Sequence, residues 1–391
     1  MSCVIFGAGK IARGFIGHLL YLSGIPFTFV EKADALADLI NERGRYTVNI
    51  LGAPEKNCVV QGAKALKFDQ EEEIALAIAE ADAVFNAVGG KNLGELVPFM
   101  VKGIEKKAQM GGGDLNFITC ENWKQPADIL RKGVEEQIDP AFKAYLDAHV
   151  GITEAVIMRS AIESTPELLA KDPLVVNAQD FWKLPFDASR LKAPRPEGMI
   201  CLEPIYEFTG FLERKFYTYN AANGTTSFVG ALLGYKYIAD AAHDERILKL
   251  LDGVYTETAT ALSKKHNFPF EEQWAFTRTS LHKLQDRNIV DYIERNARDP
   301  MRKLGKDDRL VGSARLCLEY GVRPEHLAVA IACAMHYTEP TDEFAVALAE
   351  MREKEGYDAI LTKVCSVEPE SELGRLIKEI LEEIKAWGWI K

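Results

Sequence analysis

The chain has 391 residues, with 47 basic against 58 acidic side chains and a formal net charge of −11. This length predicts two or three domains, and a hydrophobic fraction of 47% excludes a largely disordered chain. Because an acidic chain without a block of basic residues has little with which to neutralise phosphate backbones, nucleic-acid binding is not expected.

Membrane insertion, disulfides and structural zinc are not expected either. The longest apolar stretch, residues 15–30, is interrupted by Gly17, His18 and Pro26 and is too broken to cross a bilayer. The first ten residues lack a basic segment and a cleavage site, so we expect a cytoplasmic protein. Seven scattered cysteines without a CxxC pair argue against a disulfide framework and a zinc site, and they predict buried free thiols.

Short strands alternate with helical segments in the first part of the chain. The apolar patterns predict strands at 2–6, 27–31, 83–88, 115–119 and 150–157, and helices at 10–23, 33–43 and 93–107. Such alternation is typical of a doubly wound parallel sheet, which binds ligands at the carboxyl ends of its strands. We therefore predict an α/β fold with a Rossmann-type domain.

The chain changes character near residue 190. Residues 183–196 read KLPFDASRLKAPRP, with three prolines and no periodicity, as in many interdomain connections. Beyond about residue 210 the apolar spacing predicts helices at 227–240, 244–266, 271–284, 324–336, 341–355 and 371–387. We therefore predict a cofactor-binding Rossmann domain over residues 1–190 and a mainly α-helical substrate and catalytic domain over residues 191–391.

A glycine-rich turn follows the first predicted strand. It matches the G-x-G-x-x-G/A fingerprint and consists of Gly7, Ala8, Gly9, Lys10, Ile11 and Ala12. The first glycine allows the tight bend, the second lets the backbone approach a pyrophosphate, and the third small residue keeps the helix close to the sheet. The turn predicts dinucleotide binding at a helix N-terminus; a plain glycine turn or a site for another nucleotide is the alternative.

A carboxylate at the end of the second strand predicts which dinucleotide binds. Glu31 can accept hydrogen bonds from both ribose hydroxyls and would repel a 2′-phosphate, so we predict NAD rather than NADP, although Lys32 next to it weakens the preference. Asn86, Val88 and Gly89 end the strand predicted at 83–88 and are expected to pass beneath the cofactor. A plain strand-end turn is the alternative for these three residues.

Two common arrangements for moving a hydroxyl proton are missing from the sequence. No tyrosine is followed by a lysine four residues later, and the seven histidines include no His-x-x-x-His pair and no cluster with cysteine. A chain that transfers hydride would therefore use a metal-independent site with lysine or histidine as the base.

Three further segments resemble a known family. They are CEN at 120–122, ERKFYTYNAANG at 213–224 and DPMRKLGKDDRL at 299–310. Together with the turn at residue 7, they make nearly the whole chain similar to the polyol-specific long-chain dehydrogenases/reductases. The compact length fits the branch of that family that acts on phosphorylated substrates. The resemblance implies an NAD-dependent oxidoreductase that interconverts a polyol, or a polyol phosphate, with the corresponding ketose.

The resemblance also implies roles for residues of the second domain. Lys215 corresponds to the family's general base, and Asn220 and Asn122 correspond to amides that polarise the substrate carbonyl. This chemistry is sensible in itself, since burial lowers the pKa of a lysine and two amides can form a metal-free oxyanion hole. Without the other motifs, Lys215 would be taken for a solvated charge on an amphipathic helix.

Two positions depart from the family pattern, and both concern the substrate. Asn223 stands where the family has histidine; it keeps hydrogen-bonding capacity without a group that titrates near neutral pH, and we count it among the candidate catalytic residues. Met158 stands where relatives have aspartate. These departures leave two alternatives open besides a polyol dehydrogenase: a reductase of uronates or other sugar acids, and a non-catalytic NAD-binding sensor.

A cluster of basic residues near the end of the third segment is a candidate substrate site. Arg302, Lys303 and Arg309 could bind a terminal phosphate, since a guanidinium binds phosphate through two hydrogen bonds. A surface loop with salt bridges to Asp299, Asp307 and Asp308 is the alternative. The expected partner is thus a small polyol or ketose, and the protein is expected to be a monomer or a small homo-oligomer.

Overall fold

A computed structural model of the protein describes residues 2–162, 164–192, 198–200 and 202–390. The chain forms two compact units, residues 1–208 and 209–391. The predicted α/β fold with a mainly helical second half is confirmed. None of the described helices is both long enough and apolar enough to span a bilayer.

The first unit is built around a six-stranded parallel sheet. Its strands are β1 (Cys3–Phe6), β2 (Phe27–Glu31), β5 (Ala65–Lys67), β6 (Ala83–Asn86), β7 (Leu115–Thr119) and β8 (Val150–Glu154), in the spatial order β5-β2-β1-β6-β7-β8. From β1 the chain adds strands toward one edge of the sheet, and from β6 it adds them toward the other. The turns that follow β1 and β6 therefore lie side by side. This is the place where doubly wound sheets bind ligands.

Helices cover both faces of this sheet. They span Ala12–Gly17 and His18–Leu22, Asp34–Arg43, Glu71–Glu80, Val97–Gln109, Pro126–Gln137, Lys143–His149 and Pro166–Lys171. Alternating residues of β1 enter two separate cores, since Cys3 and Ile5 pack on one side of the sheet and Val4 and Phe6 on the other. This alternation explains why the central strands read as uninterrupted apolar runs in the sequence.

A second sheet in this unit was not predicted from the sequence. It has the order β4-β3-β10-β9 and consists of β3 (Arg45–Leu51), β4 (Cys58–Gln61), β9 (Ala161–Ile162) and β10 (Val176–Gln179). Its strands come from segments far apart in sequence, and β10 pairs with β3 in parallel. Periodicity within a short window cannot reveal such a pairing, because the strands are short and only partly alternating.

The predicted connection at 183–196 differs in the structure. Residues Leu184–Asp187 form β11, which pairs in parallel with β12 (Leu202–Ile205), so chain on both sides of the proline-rich part belongs to the first unit. The two units therefore divide at residue 208, later than the predicted boundary at 190. Residues 193–197, which include two of the three prolines, lie outside the described residues.

Several predicted elements end at different residues. The strand predicted to reach residue 88 ends at Asn86, and the one predicted to reach 157 ends at Glu154. The helix predicted at 93–107 begins as a 3₁₀ segment, Gly90–Leu96, before the α-helix Val97–Gln109. These shifts are of the size expected for element boundaries read from a single sequence.

The second unit is helical throughout its described part. A continuous helical segment runs through Phe208–Lys215, Phe216–Asn220 and Ala221–Leu232; we call it the Lys215 helix. The other helices are Ile238–Ala241, Glu245–His266, Phe270–Leu284, Ile293–Ala297, Pro300–Lys303, Val311–Glu319, Glu325–His336, Glu343–Glu355, Tyr357–Lys363 and Glu372–Ala386. The predicted helix at 227–240 is thus split in two, because Gly234 takes a left-handed φ of 80° after Leu232.

Local caps fix the ends of the long helices in this unit. The Asp244 carboxylate accepts from the backbone N–H of Arg246 at the start of Glu245–His266, and the Ser371 hydroxyl accepts from the N–H of Gly374 at the start of Glu372–Ala386. The helix Glu325–His336 is the centre of the core, and Leu327, Ile331 and Met335 are fully buried. The Lys215 helix packs against this core and is therefore held rigidly.

Candidate active site

The predicted dinucleotide turn has the geometry that its sequence requires. Gly7 has a φ of +83°, and a Cβ at this position would lie 2.6 Å from the carbonyl oxygen of Ala87, so only glycine fits. A Cβ on Gly9, by contrast, would have no atom within 4 Å, which leaves open space above the backbone at the point where a pyrophosphate would lie. Ala12 is fully buried between helix and sheet, as the fingerprint implies.

Glu31 is held by the backbone at the end of β2. Its Oε2 accepts from the N–H of Ala8 at 2.6 Å, and its Oε1 accepts from the N–H of Ala33 at 2.8 Å. Because a carboxylate has about four acceptor positions, both oxygens can still accept a ribose hydroxyl. The ammonium of Lys32 forms an ion pair with Glu95 at 2.6 Å, so the carboxylate of Glu95 neutralises the positive charge next to Glu31.

A cleft of about 480 Å³ opens beside these groups. Gly7, Gly9, Glu31, Val88 and Asn92 are among the residues that line it. Its walls are mostly apolar or backbone, with Phe68 and Leu96 opposite the glycine turn, as in many nucleotide sites. The shape, the open backbone at Gly9 and the free acceptor positions of Glu31 fit NAD.

The strand-end residues Asn86, Val88 and Gly89 are organised by Glu121. The Glu121 carboxylate accepts from the backbone N–H of Val88 at 2.7 Å and from that of Gly89 at 3.0 Å. Burial raises the pKa of Glu121, while these two N–H groups and the Asn86 amide favour its charged form.

Sequence reasoning missed Glu121, although it lies inside the CEN segment. The signal that could have found it is its position directly after β7, beside the end of β6. Asn122 follows as an exposed residue and is available to a ligand. Trp123 covers Gly90 so closely that a Cβ there would lie 2.2 Å from the indole ring.

Two further glycines of the fingerprint segment serve packing rather than cofactor binding. A Cβ on Gly14 would lie 2.6 Å from the Val176 side chain of β10, and one on Gly17 would lie 2.6 Å from the Tyr46 hydroxyl of β3. The second sheet therefore lies directly against the first helix. This explains why residues 14 and 17 of the first helix are glycines.

The first helix is a π-helix where this contact occurs, over Ala12–Gly17. Side chains from outside the helix bond its carbonyl groups: the Tyr46 hydroxyl donates to that of Arg13 at 3.2 Å, and Arg159 donates to that of Gly14 at 3.0 Å. Arg159 is 2% exposed, and its guanidinium lies 4.4 Å from the centre of the Trp182 ring. Met158, the departure from the family pattern next to it, is buried.

The second unit brings its candidate residues together by a π-turn. In a regular α-helix five positions rotate a side chain by about 500°, which would leave Lys215 and Asn220 about 140° apart. The segment Phe216–Asn220 is instead π-helical, and the N–H of Ala221 donates to the carbonyl of Phe216, five residues earlier. Residues five apart then lie one above the other, so Lys215 and Asn220 share a face. Asn223, three positions later, continues that face.

Lys215 lies in a positively charged environment. Burial, helped by the charge of Arg309, lowers the pKa of Lys215. Lys283, at the end of the helix Phe270–Leu284, has a pKa lowered to about 8 by burial and by the charge of Lys215. The charge of Lys215 thus favours the neutral form of Lys283. Sequence reasoning missed Lys283, whose helix packs against the π-turn but whose sequence carries no motif.

The three basic residues of the third segment have different surroundings. The Arg302 side chain is exposed and ion-paired with Asp299 at 3.0 Å and Asp308 at 3.4 Å. Lys303 is buried, donates to the carbonyl of Arg298, and has a pKa lowered to about 8 by burial and by the charges of Arg309 and Arg302. Arg302 therefore has the surroundings of the alternative interpretation, a surface loop with salt bridges to aspartates.

Arg309 is the member of this trio that lies along the Lys215 helix. Its Nε donates to Asp308 at 2.9 Å, and its guanidinium lies 5.7 Å from the centre of the Phe216 ring. Its Cδ would lie 3.2 Å from a Cβ on Gly224, the residue after Asn223. Among the residues that the structure describes, only its Nε has a carboxylate partner, so the two terminal nitrogens of the guanidinium can bind an anion.

A lysine of lowered pKa beside a carboxamide is suited to proton transfer from a hydroxyl and to polarising the oxygen that results. Among the residues that the structure describes, no group of three or more His, Cys, Asp or Glu side chains is arranged to hold a metal ion. The structure thus has a dinucleotide-binding fold in its first unit and a helix face that carries Lys215 and Asn220 in its second.

Comparison with known proteins identifies the family. A model of the mannitol dehydrogenase Rossmann domain matches residues 1–198, and a model of the mannitol dehydrogenase C-terminal domain matches residues 207–387. The chain therefore belongs to the mannitol dehydrogenase family. This membership confirms the predicted class, an NAD-dependent dehydrogenase, and the resemblance noted in the sequence.

Curated relatives and solved structures agree with this membership. The chain is 32% identical over 386 residues to a mannitol-1-phosphate 5-dehydrogenase of Caldanaerobacter subterraneus subsp. tengcongensis and 30% identical over 388 residues to one of Clostridium acetobutylicum; each match covers 98% of this chain and 99% of the relative.

Two solved structures share the fold. A substrate-free D-sorbitol dehydrogenase superposes with a TM-score of 0.82 at 16% identity, covering 99% of this chain and 93% of the other. The Pseudomonas fluorescens mannitol 2-dehydrogenase in a ternary complex with NAD and D-mannitol superposes with a TM-score of 0.68 at 14% identity, covering 100% and 92%.

Proposed function

We propose that the protein interconverts a polyol phosphate, similar to mannitol 1-phosphate, with the corresponding ketose phosphate, similar to fructose 6-phosphate, and that Lys215 is the general base. The observation that carries the proposal is the π-turn at Phe216–Asn220, which places Lys215 and Asn220 on one face. The names of the relatives at 32% and 30% identity support a phosphorylated substrate.

In the direction of oxidation, the neutral amine of Lys215 accepts the proton of the substrate hydroxyl. Bound NAD supplies the chemistry of hydride transfer, and Gly7, Gly9 and Glu31 would hold it. Asn220 donates a hydrogen bond to the substrate oxygen as it becomes a carbonyl oxygen. In the direction of reduction, the Lys215 ammonium returns the proton to that oxygen.

Arg309 is the proposed ligand for the substrate phosphate. Its guanidinium lies beside the Lys215 helix, and it is the cation that lowers the Lys215 pKa together with burial. A phosphate dianion there would offset that charge, so Lys215 would be a weaker acid when a phosphorylated substrate is bound. Lys303 is buried and interacts electrostatically with Arg309, so its charged form would add to the positive potential at the proposed phosphate site.

A screen of NADH oxidation tests the proposed function. The panel contains free ketoses, ketose phosphates and keto acids that carry a second carboxylate in place of the phosphate. We expect turnover of a ketose phosphate with a kcat/KM at least 100-fold above that of the free ketose. Equal efficiency for the two would overturn the phosphate requirement, preference for the keto acids would indicate a sugar-acid reductase, and NADH binding without turnover of any compound would indicate a sensor.

A further inference from the structure

The amide of Asn223 has an orientation that the structure fixes. Its Nδ2 donates to the Oδ1 of Asn296 at 3.1 Å. Asn223 lies one helical turn after Asn220, on the face that also carries Lys215. The position therefore borders the reacting centre, and which of its two amide atoms faces that centre determines what Asn223 can bind.

Asn296 can be oriented in only one way. Its Nδ2 donates to the Oδ1 of Asp291 at 2.6 Å and to the carbonyl oxygen of Tyr292 at 2.9 Å. Both of these partners are acceptors, one a carboxylate and the other a backbone carbonyl, and the Asp291 carboxylate also lies 3.8 Å from the Arg295 guanidinium. Turning the Asn296 amide over would bring its oxygen against both acceptors. The Asn296 oxygen must therefore face Asn223.

The orientation of the Asn296 amide in turn fixes that of the Asn223 amide. An oxygen on Asn296 requires the nitrogen of Asn223 at the other end of the hydrogen bond. The Nδ2 of Asn223 is used in this hydrogen bond, and within the described ranges its Oδ1 has no protein donor. Asn223 is only half-buried, so this oxygen can be reached by a ligand.

We propose that Asn223 determines substrate specificity by accepting a hydrogen bond from a substrate hydroxyl on a carbon next to the reacting carbon, and that Asn296 and Asp291 position it. The inference rests on the proposed function and adds the chemical group that this site requires. A carbonyl oxygen binds a donor, so it binds an alcohol hydroxyl and disfavours a carboxylate or a second carbonyl at the same place. The site thereby selects a polyol and its ketose against a keto acid.

The chain of amides does not depend on pH near neutrality. Asn223 and Asn296 do not titrate, and the Asp291 carboxylate is the only ionisable group in the chain of hydrogen bonds from Asn223 to Asp291. A histidine in place of Asn223 could present either a donor or an acceptor, depending on its protonation state. An asparagine presents an acceptor at every pH, so the site always requires a hydroxyl on the substrate.

The test compares three ketose phosphates with wild-type protein and two variants. The substrates are D-fructose 6-phosphate and its 1-deoxy and 3-deoxy analogues, which lack one of the two hydroxyls that flank the reacting carbon. We expect wild-type kcat/KM to fall by about 10-fold or more for one analogue, since a lost hydrogen bond leaves a half-buried acceptor unpaired. In Asn223→Leu the preference for the hydroxyl should shrink to about 2-fold or less, mainly through a higher KM for D-fructose 6-phosphate.

The second variant, Asp291→Asn, leaves Asn223 in place. It weakens one of the two acceptors that orient Asn296 and leaves the Tyr292 carbonyl in place, so the preference for the hydroxyl should fall by about 2-fold or less. If Asn223→Leu does not fold, Asn296→Leu replaces it as the deciding variant, because it removes the acceptor that holds the Asn223 Nδ2. In Asn296→Leu the preference for the hydroxyl should fall by a few-fold, and an unchanged preference would contradict the positioning role. The NAD dissociation constant and the melting temperature are measured for both variants.

The outcomes separate this inference from the proposed function. If wild-type protein turns over none of the three ketose phosphates, the proposed function fails, and the hydroxyl contact fails with it. If wild-type protein turns over D-fructose 6-phosphate but both analogues react equally well, Asn223 binds only water and the inference alone is overturned. A purely structural role for Asn223 would lower kcat/KM for all three substrates by the same factor.

Discussion

At the scale of single residues, the proposed chemistry requires a neutral lysine in a protein with a net charge of −11. The average charge is no guide to this site, because Lys215, Lys283, Lys303 and Arg309 lie within reach of one another's charge in the second unit. Burial and mutual repulsion act in the same direction on the lysines, and both favour the neutral amine. A base and an anion site can then share one cluster of cations.

Replacing the proposed base gives the first prediction. Lys215→Met keeps the length and apolar stem of the side chain but cannot accept a proton, so we expect kcat to fall by about 10²- to 10⁴-fold in both directions. Steady-state kinetics with a ketose phosphate and with its polyol phosphate measure the loss. Lys306→Met, which changes an exposed lysine of the same unit, is the control and should retain full activity. Turnover within 3-fold of the wild type for Lys215→Met would show that another group takes the proton.

The charge of Arg309 gives the second prediction. Arg309→Met removes the positive charge that, together with burial, lowers the pKa of Lys215, so this pKa should rise toward its ordinary value. Proposed oxidation of the polyol requires the neutral amine and increases with pH up to that pKa. The midpoint of the rise in kcat/KM for oxidation should therefore move to higher pH in the variant, in addition to any loss of phosphate binding. An unchanged midpoint would mean that the charge of Arg309 does not act on Lys215.

At the scale of elements, both functional segments depend on π-helical turns, at Ala12–Gly17 and Phe216–Asn220. The second turn brings residues five apart onto one face. The first provides carbonyl groups to which Tyr46 and Arg159 donate, and it accompanies the close approach of the second sheet. A π-turn leaves no simple mark on apolar periodicity, since it replaces a single turn of a longer helix.

Packing of the second sheet on the first helix gives the third prediction. In Gly17→Ala the new methyl group would lie 2.6 Å from the Tyr46 hydroxyl and 3.1 Å from the carbonyl oxygen of Ala12, and both neighbours are fully buried. Such overpacking costs about 1–3 kcal/mol of the free energy of unfolding. Urea denaturation followed by circular dichroism measures this loss. Gly94→Ala, where the methyl group would meet no atom within 4 Å, is the matched control and should leave stability within about 0.5 kcal/mol.

At the scale of the whole molecule, apolar periodicity and glycine spacing predicted the elements whose structure depends on neighbouring residues in the sequence. The strands Phe27–Glu31 and Leu115–Thr119 were predicted to the residue, and the glycine turn was found because each of its residues meets a local backbone requirement. The second sheet was missed because it joins residues 45–61 to residues 161–179, and its pairing is not a property of either segment alone.

The candidate sites show the same division. Gly7, Gly9 and Glu31 could be predicted because a fixed spacing carries a known physical role. Glu121, Lys283, Asn296 and Asp291 could not, since each acts through a neighbour that is distant in sequence. The same holds for the different surroundings of Arg302 and Arg309, which only the positions of Asp299 and Asp308 distinguish.

Stability in alkaline solution gives the fourth prediction, and opposing groups determine its sign. Burial lowers the pKa values of Lys283 and Lys303 from 10.5 to about 8, so above pH 8 the unfolded state binds more protons at these two sites and stability rises with pH. Burial raises the pKa values of five thiols above their ordinary value of 9.0; they are Cys3, Cys120, Cys317, Cys333 and Cys365. Above pH 9 the unfolded state loses these protons first, and stability falls.

Lys215, whose pKa is also lowered, adds to the rise, whereas Tyr46, Tyr219, Tyr255 and Tyr337, whose pKa values burial raises, add to the fall. Groups with raised pKa values outnumber those with lowered ones, so stability should fall between pH 9 and 10. The free energy of unfolding should therefore be highest between about pH 8 and 9, and urea denaturation at pH 8.5, 9.25 and 10 measures the slope. Cys333→Ala removes one such thiol and should reduce that slope by about 1 kcal/mol per pH unit. A slope that is the same in this variant and in the wild type would mean that the thiols do not control alkaline unfolding.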